Sequence, residues 1–165
     1  MEVIGKKEEV FYTPKKSVYV IIEAGEKIVF VKVWNDYYML GGGINKNEDE
    51  IDALKREVIE EAGYSIKNIR FFVKIKAYHY EIYNNKYFEY DASFYLANFD
   101  KKIATPIEKD YELIHANPNE YQNPFHFAFQ NYALNYYVEM LNLSGNADNI
   151  LKNKKTRIGD DMNPG

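Results

Sequence analysis

The stretch Gly41-Gly42-Gly43-Ile44-Asn45-Lys46-Asn47-Glu48-Asp49-Glu50-Ile51-Asp52-Ala53-Leu54-Lys55-Arg56-Glu57-Val58-Ile59-Glu60-Glu61-Ala62-Gly63 reads as three glycines in a loop followed by a short helix. Asn47 is placed to cap the helix, and Glu50 three residues later has the position of its capping-box partner. Ile51, Leu54, Val58 and Ala62 recur at spacings of three, four and four, which puts them on one apolar stripe. Gly63 is placed to end the helix. At about 100° per residue, Glu50, Glu57, Glu60 and Glu61 fall within an arc of about 100° that borders the stripe. One flank of a half-buried helix therefore carries a cluster of carboxylates.

Residues 48–61 hold seven acids against two bases, a net of −5 in a chain whose total is −4, so the rest of the protein is slightly basic. Like charges at i, i+3 and i+4 destabilise a helix unless something compensates them. A hard divalent cation is the natural compensation, because Mg²⁺, Mn²⁺ and Ca²⁺ prefer carboxylate oxygens. The plain alternative is a solvated acidic face. An EF-hand loop does not fit. Started at Asn45, it would place Glu50 where its glycine belongs and Arg56 where its bidentate Glu belongs.

Working outward, Ser17–Glu23 and Ile28–Val33 are β-branched and aromatic runs joined by Ala24-Gly25-Glu26-Lys27, a hairpin pattern. A shorter strand, Tyr37–Leu40, leads into the glycines. Residues 70–99 form a long aromatic hairpin turning at Asn84-Asn85. A short strand falls at Tyr111–His115. Asn123 and Pro124 then resemble a cap and first turn, with Phe129, Tyr132, Ala133, Tyr136, Met140 and Leu141 as the stripe of a second helix that Gly145 closes. From Asn146 the chain is polar, with Lys152, Lys154, Lys155 and Arg157. The expectation is one domain over residues 1–145 and a solvated, disordered tail over 146–165. The fold class is α+β, a mixed or antiparallel sheet with two main helices.

At 165 residues and 46% hydrophobic content the chain can bury one core. No apolar run has the length of a membrane helix, and the first nine residues lack a leader's apolar segment, so a cytoplasmic location and no membrane partner are expected. The negative total argues against stable nucleic-acid binding. There are no cysteines, which removes disulfides, thiolate metal sites and cysteine nucleophiles. His79, His115 and His126 form no i, i+4 pair, and His126 on the second helix is expected to pack rather than react.

Gly42, five residues, Glu48, seven residues, then Arg56-Glu57-Val58-Ile59-Glu60-Glu61-Ala62-Gly63-Tyr64 resembles the Nudix box along its whole length. Seven fixed identities match, and at ordinary residue frequencies a chance match at a given start is on the order of 10⁻⁸. Leu40 stands where many members have proline, and Asn45 and Asn47 where many have an acid and a glycine. These departures concern loop shape and substrate. The resemblance implies an α/β/α sandwich, with a mixed sheet between the box helix and a C-terminal helix.

The resemblance also implies a hydrolase that uses Mg²⁺, with Mn²⁺ as a substitute, to cleave the pyrophosphate of a nucleoside diphosphate linked to a group X. Glu57, Glu60 and Glu61 would be the metal ligands, with Glu48 and the Gly42 carbonyl as auxiliary donors. Arg56 would orient the carboxylates. The base would be Glu57, Glu60 or a residue on a later loop, and a further acid could come from Glu89, Asp91, Glu108, Asp110, Glu112 or Glu120. Damaged nucleoside triphosphates are the first expected substrates and dinucleoside polyphosphates the second. In one subgroup acting on the latter, a tyrosine beyond the box marks the substrate, and Tyr80 and Tyr83 lie near that offset. A proline that marks many ADP-ribose hydrolases is absent there. The rival readings are a nucleotide-binding or regulatory module of the same fold without turnover, and a structural domain whose acidic helix faces water. Many relatives dimerise, so a second copy of the chain is a further expected partner.

Overall fold

Val18, Val20 and Ile22 alternate along one strand with Tyr19 and Ile21, and all five are buried. A strand apolar on both sides must be covered on both sides, and this one is. In the computed structural model, which describes residues 2–7 and 9–161, the elements in chain order are β1 (Glu2–Ile4), β2 (Thr13–Ala24), β3 (Lys27–Val33), β4 (Asp36–Tyr38), β5 (Leu40–Gly43), α1 (Glu50–Ala62), β6 (Tyr64–Glu81), β7 (Lys86–Lys102), β8 (Tyr111–Ala116) and α2 (Ala128–Asp161). The sheet runs β1-β6-β7-β2-β3-β4, with β5 also on β2 and β8 also on β3. β2 pairs antiparallel with β3 and β5 but parallel with β7, so the sheet is mixed.

Val18, Val20 and Ile22 share a core with Ala53, Leu54, Val58 and Ala62 of α1. Tyr19 and Ile21 share the other with Phe129, Ala133, Leu134 and Tyr137 of α2. This is the expected sandwich. Each fully buried Val, Leu, Ile or Phe contributes about 1.5–3 kcal/mol, so the two layers hold the helices without help from intrinsic propensity. No helix among the described residues is long and apolar enough to cross a membrane.

Several local details differ from the expectation. The three glycines are not a loop; they are strand, with Gly43, Gly42 and Gly41 opposite Ser17, Val18 and Tyr19. Asp49, not Asn47, caps α1, accepting from the Asp52 N–H at 2.8 Å, while Asn47 takes a left-handed turn at φ 66°. Glu50 is not a capping-box partner. Its carboxylate accepts from Ser93 Oγ at 2.7 Å and Tyr95 OH at 2.6 Å across the sheet. The hairpin is longer than 70–99, running from Tyr64 to Lys102, and Asn85 at φ 50° makes its turn.

The second helix begins at Ala128 rather than at Pro124. Asn131 brackets the preceding segment instead, accepting from Phe125 N–H and donating to its carbonyl, both at 2.8 Å. Its buried face is Phe129, Gln130, Ala133, Leu134 and Tyr137, while Tyr132, Tyr136, Met140 and Leu141 remain about 40% exposed. Gly145 does not close it. The backbone is helical through Asp161, and residues 162–165 of the expected tail lie outside the described ones. One glycine costs a helix only about 1 kcal/mol, and no proline intervenes before Pro164.

Gly63 ends α1 in the left-handed conformation, φ 76°, its N–H bonding Ile59 O. The same residue ties in the chain beyond β7: its carbonyl accepts from Ile103 and Ala104 N–H at 2.9 and 3.2 Å, and Glu60 O accepts from Ile107 and Glu108. A Cβ on Gly63 would collide with the Ala104 carbonyl, whereas one on Gly25 (φ 65°) would meet open space. A left-handed L-residue alone costs about 1–2 kcal/mol. Gly25→Ala should therefore cost about that amount in urea unfolding, and Gly63→Ala should cost clearly more. Equal costs would show that the strap over the end of α1 yields easily.

Candidate functional site

Arg56 organises the acidic flank of α1. Its Nε and Nη2 donate to the two oxygens of Glu48 at 2.8 and 2.9 Å, Nη2 also donates to Gly43 O at 3.0 Å, and Nη1 reaches Glu57 at 3.0 Å and Glu60 at 3.4 Å. The fork geometry of a guanidinium suits this, since a lysine could not meet a bidentate acid and a carbonyl together. Arg56 in turn holds the Glu48 carboxyl below the usual carboxylate range, helped by the Asn45 N–H at 3.0 Å. The helix flank and the loop before it are thus one hydrogen-bonded unit.

Glu57 and Glu61 face the glycine strand. A Cβ built on Gly42 would sit 2.7 Å from Glu57 Oε1, so any side chain there would have to displace the carboxylate. Glu61 is buried, and Gly41 N–H donates to its Oε1 at 2.8 Å. That is a single hydrogen bond for a group taken out of water. Burial pushes the Glu61 carboxyl well above its ordinary range, with the charges of Glu57, Glu108 and Glu60 adding to the effect. Burial likewise pushes Glu57 up, against the lowering pull of Arg56. Tyr111 is pushed up to about 12, by burial first and then by Glu61.

The donor set suits a hard divalent cation. Glu57, Glu60 and Glu61 supply carboxylate oxygens on one helix flank, Glu48 lies beside them, and the bare Gly42 backbone faces Glu57. Buried acids with raised proton affinity are groups that a cation would stabilise in their charged form. In the conformation described, Arg56 draws Glu48, Glu57 and Glu60 toward itself, and among the described residues no three His, Asp or Glu side chains converge as a metal-binding group.

All six box residues expected at the site, Gly42, Glu48, Arg56, Glu57, Glu60 and Glu61, are brought together. Of the six further acids, Glu108 comes near: its N–H lies 3.3 Å from Glu60 O and its charge acts on Glu61. Glu89 and Asp91 instead pair with Lys76 and Lys74 on the sheet. Tyr80 and Tyr83 are at the hairpin tip, away from the carboxylates, lining a cavity of about 320 Å³. His126 precedes α2 rather than lying on it, and its exposed ring meets those of Tyr38 and Phe127.

A second cavity, of about 200 Å³, adjoins the glycine strand directly and has residues no motif pointed to: Lys15, Tyr38, Tyr90, Phe127 and Gln130, beside Gly41–Gly43 and Glu61. Lys15 Nζ lies over the Phe88 and Tyr90 rings at 5.5 and 5.4 Å. Gln130 is buried; its Oε1 accepts from Met39 N–H at 2.9 Å, which leaves Nε2 without a partner. These residues come from four separate segments, so nothing in their spacing marks them.

The family model described as NUDIX domain matches residues 13–132. No curated protein matches the sequence. Among solved structures, a MutT NUDIX hydrolase from Burkholderia pseudomallei is 20% identical, with TM-score 0.61 over 74% of this chain and 97% of that one. A NUDIX hydrolase from Nitrosomonas europaea is 16% identical, with TM-score 0.63 over 77% and 90%. An ADP-ribose pyrophosphatase from Streptococcus suis is 18% identical, with TM-score 0.55 over 74% and 90%. At these identities the likeness is one of fold.

A carboxyl whose pKa is raised by folding keeps its proton in the native state where the unfolded chain has lost it, so stability falls as pH rises above the ordinary carboxylate range. In metal-free buffer the contribution of Glu61 to the melting temperature should therefore fall as pH rises above the ordinary carboxylate range, against the opposite contribution of His79, whose lowered pKa favours the fold as pH rises. Glu61→Gln retains an acceptor for Gly41 N–H and should flatten that fall, raising the value near neutrality by about 3 °C or more. Added Mg²⁺ should restore the wild type but not the variant. Identical pH profiles for the two proteins would show that Glu61 is not the strained group.

Proposed function

The chain belongs to the Nudix family of pyrophosphohydrolases, and we propose that it is a divalent-metal-dependent hydrolase of a nucleoside diphosphate linked to a further group. The observation that carries this reading is the junction of α1 and β5. There Glu57 packs against a glycine that leaves no room for a side chain, Glu61 is buried beside it, and Arg56 ties Glu48, Glu57 and Glu60 to the same strand.

Mg²⁺, or Mn²⁺ in its place, held by Glu57, Glu60 and Glu61 with Glu48 and the Gly42 carbonyl as auxiliary donors, would neutralise diphosphate charge and lower the pKa of water. The chain's own groups do the rest. The bare backbone of β5 lets the diphosphate approach the carboxylates closely. Lys15, in the adjoining cavity, offers a positive charge to the phosphates. Glu57 or Glu60 takes the proton of the water that attacks phosphorus in line. Arg56 is a positioning residue: with three carboxylates and a carbonyl on its guanidinium, its role is to hold the loop and the ligands in register. The catalytic unit is taken as residues 1–145.

Phosphate release would be followed over nucleoside triphosphates and their oxidised forms, dinucleoside polyphosphates, nucleotide sugars and ADP-ribose, the compound in the name of the Streptococcus suis neighbour. Wild type should turn over at least one of them only with Mg²⁺ or Mn²⁺, and Glu60→Gln should lose about a hundredfold or more in kcat. Metal-independent turnover, or full activity in the variant, would overturn the assignment. Silence across the panel with a nucleotide still raising the melting temperature would identify a binding module instead.

A further inference from the structure

The cavity at the glycine strand shares Tyr38, Tyr90 and Phe127 with the larger one of about 320 Å³ under the hairpin tip. The larger cavity has aromatic walls: Tyr38, Tyr80, Tyr83, Tyr90, His79 and Phe127. Phe127 is their hub, with its ring centroid 5.3 Å from that of His79, 5.7 Å from Tyr90 and 5.8 Å from Tyr38.

Its charge is the unusual part. Asp36 and Glu81 line it, and no Lys or Arg does. The described ion pairs give neither carboxylate a lysine or arginine partner: Asp36 has His126 Nδ1 at 4.0 Å, and Glu81 accepts from the neutral Asn84 amide at 3.0 Å. Burial and the neighbouring His126 hold His79 below the usual imidazole range, so that ring is neutral at pH 7. The two adjoining cavities therefore differ in lining: Lys15 and Glu61 beside the glycine strand, two carboxylates and a set of aromatic rings beyond it. Ring faces attract cations, and most strongly those that are weakly hydrated, because a quaternary or delocalised cation gives up little water on entering.

We infer that the larger cavity is the subsite for the moiety linked to the nucleoside diphosphate, and that this moiety carries a permanent organic cation. A bare metal ion does not suit a cavity lined mainly by aromatic rings. A primary ammonium needs several convergent acceptors to replace its water, and here it would find two carboxylates. A quaternary ammonium or an N-alkylated base has the matching chemistry, with its diphosphate held at Lys15 and, when a divalent cation is bound, joined through it to the carboxylates of α1. This inference rests on the hydrolase reading for turnover but not for binding, and the two are tested apart.

The binding arm uses no metal. Choline and its uncharged isostere 3,3-dimethylbutanol would be titrated as competitors of a fluorescent nucleotide, and CDP-choline would be compared directly with its dimethylbutyl ester. The cationic member of at least one pair should bind about tenfold or more tighter than its neutral counterpart, and Asp36→Asn/Glu81→Gln should bring the two within about threefold. Equal binding in both pairs, or a preference that survives the double substitution, overturns the cationic subsite. The turnover arm adds Mg²⁺ and compares CDP-choline with its dimethylbutyl ester, where the same ratio should appear in kcat/KM. Hydrolysis of both esters at equal rates leaves the hydrolase standing and removes the subsite. A binding preference without hydrolysis of any compound removes the hydrolase and keeps the subsite.

Discussion

The guanidinium of Arg56 is the interaction on which the rest of this structure turns. A helix with Glu57, Glu60 and Glu61 on one flank repels itself at the spacings where helical neighbours meet. Arg56 answers that repulsion from within the helix, and its bond to Gly43 O fastens the helix to the glycine strand at the same time. That strand in turn hydrogen-bonds to β2, whose two faces carry the two cores. One side chain therefore links the charged flank, the glycine strand and both apolar layers. Glu48 completes the arrangement by closing the loop between strand and helix over the same group.

The arrangement leaves one cost uncompensated. Glu61 enters the interior with a single backbone donor, and burial there disfavours its charged form. A core residue at that position would stabilise the fold. Polar groups kept at a loss to stability belong to what the fold does rather than to what holds it together.

How much of this could be read in the residues depended on range. The stripe Leu54, Val58 and Ala62, the glycine stop at Gly63, and the β2–β3 hairpin follow from local spacing, and so does the flank of Glu57, Glu60 and Glu61, because a helix brings i, i+3 and i+4 together by itself; Gly42 and Glu48 lie outside the helix and were legible only through the resemblance to the Nudix box. Local rules failed where a distant partner decided. Asn47 and Asp49 are comparable caps; Glu50 cannot reach back to complete a box because Ser93 and Tyr95 hold its carboxylate. Three glycines have little strand propensity, and only the facing Ser17–Tyr19 backbone makes them a strand. On α2 aromatic residues stand on several faces, so periodicity could not tell the buried Phe129 and Tyr137 from the exposed Tyr132 and Tyr136. The cavity residues Lys15, Tyr38, Tyr90 and Gln130 meet only through the sheet's topology, which no local pattern encodes.

The long β6–β7 hairpin has two parts with different freedom. β7 is held by β2 from Phe88 to Ala97, and β1 rests on β6 at Ile75–Ala77, whereas from Tyr78 around the turn to Tyr87 the two strands pair only with each other, with Tyr12 packed on Tyr78 and Tyr87 and Phe127 on His79. Tyr80, Glu81, Ile82 and Tyr83 of this free end line the larger cavity, while no ligand-bearing residue of α1 depends on it. Strand faces repeat every two residues, so insertions or deletions made in pairs on each arm reshape the cavity wall and leave inward and outward sides unchanged. The hairpin tip is thus a replaceable cassette. Descendants of this chain could change what they select by altering its length, with the reactive end of the molecule carried along unaltered.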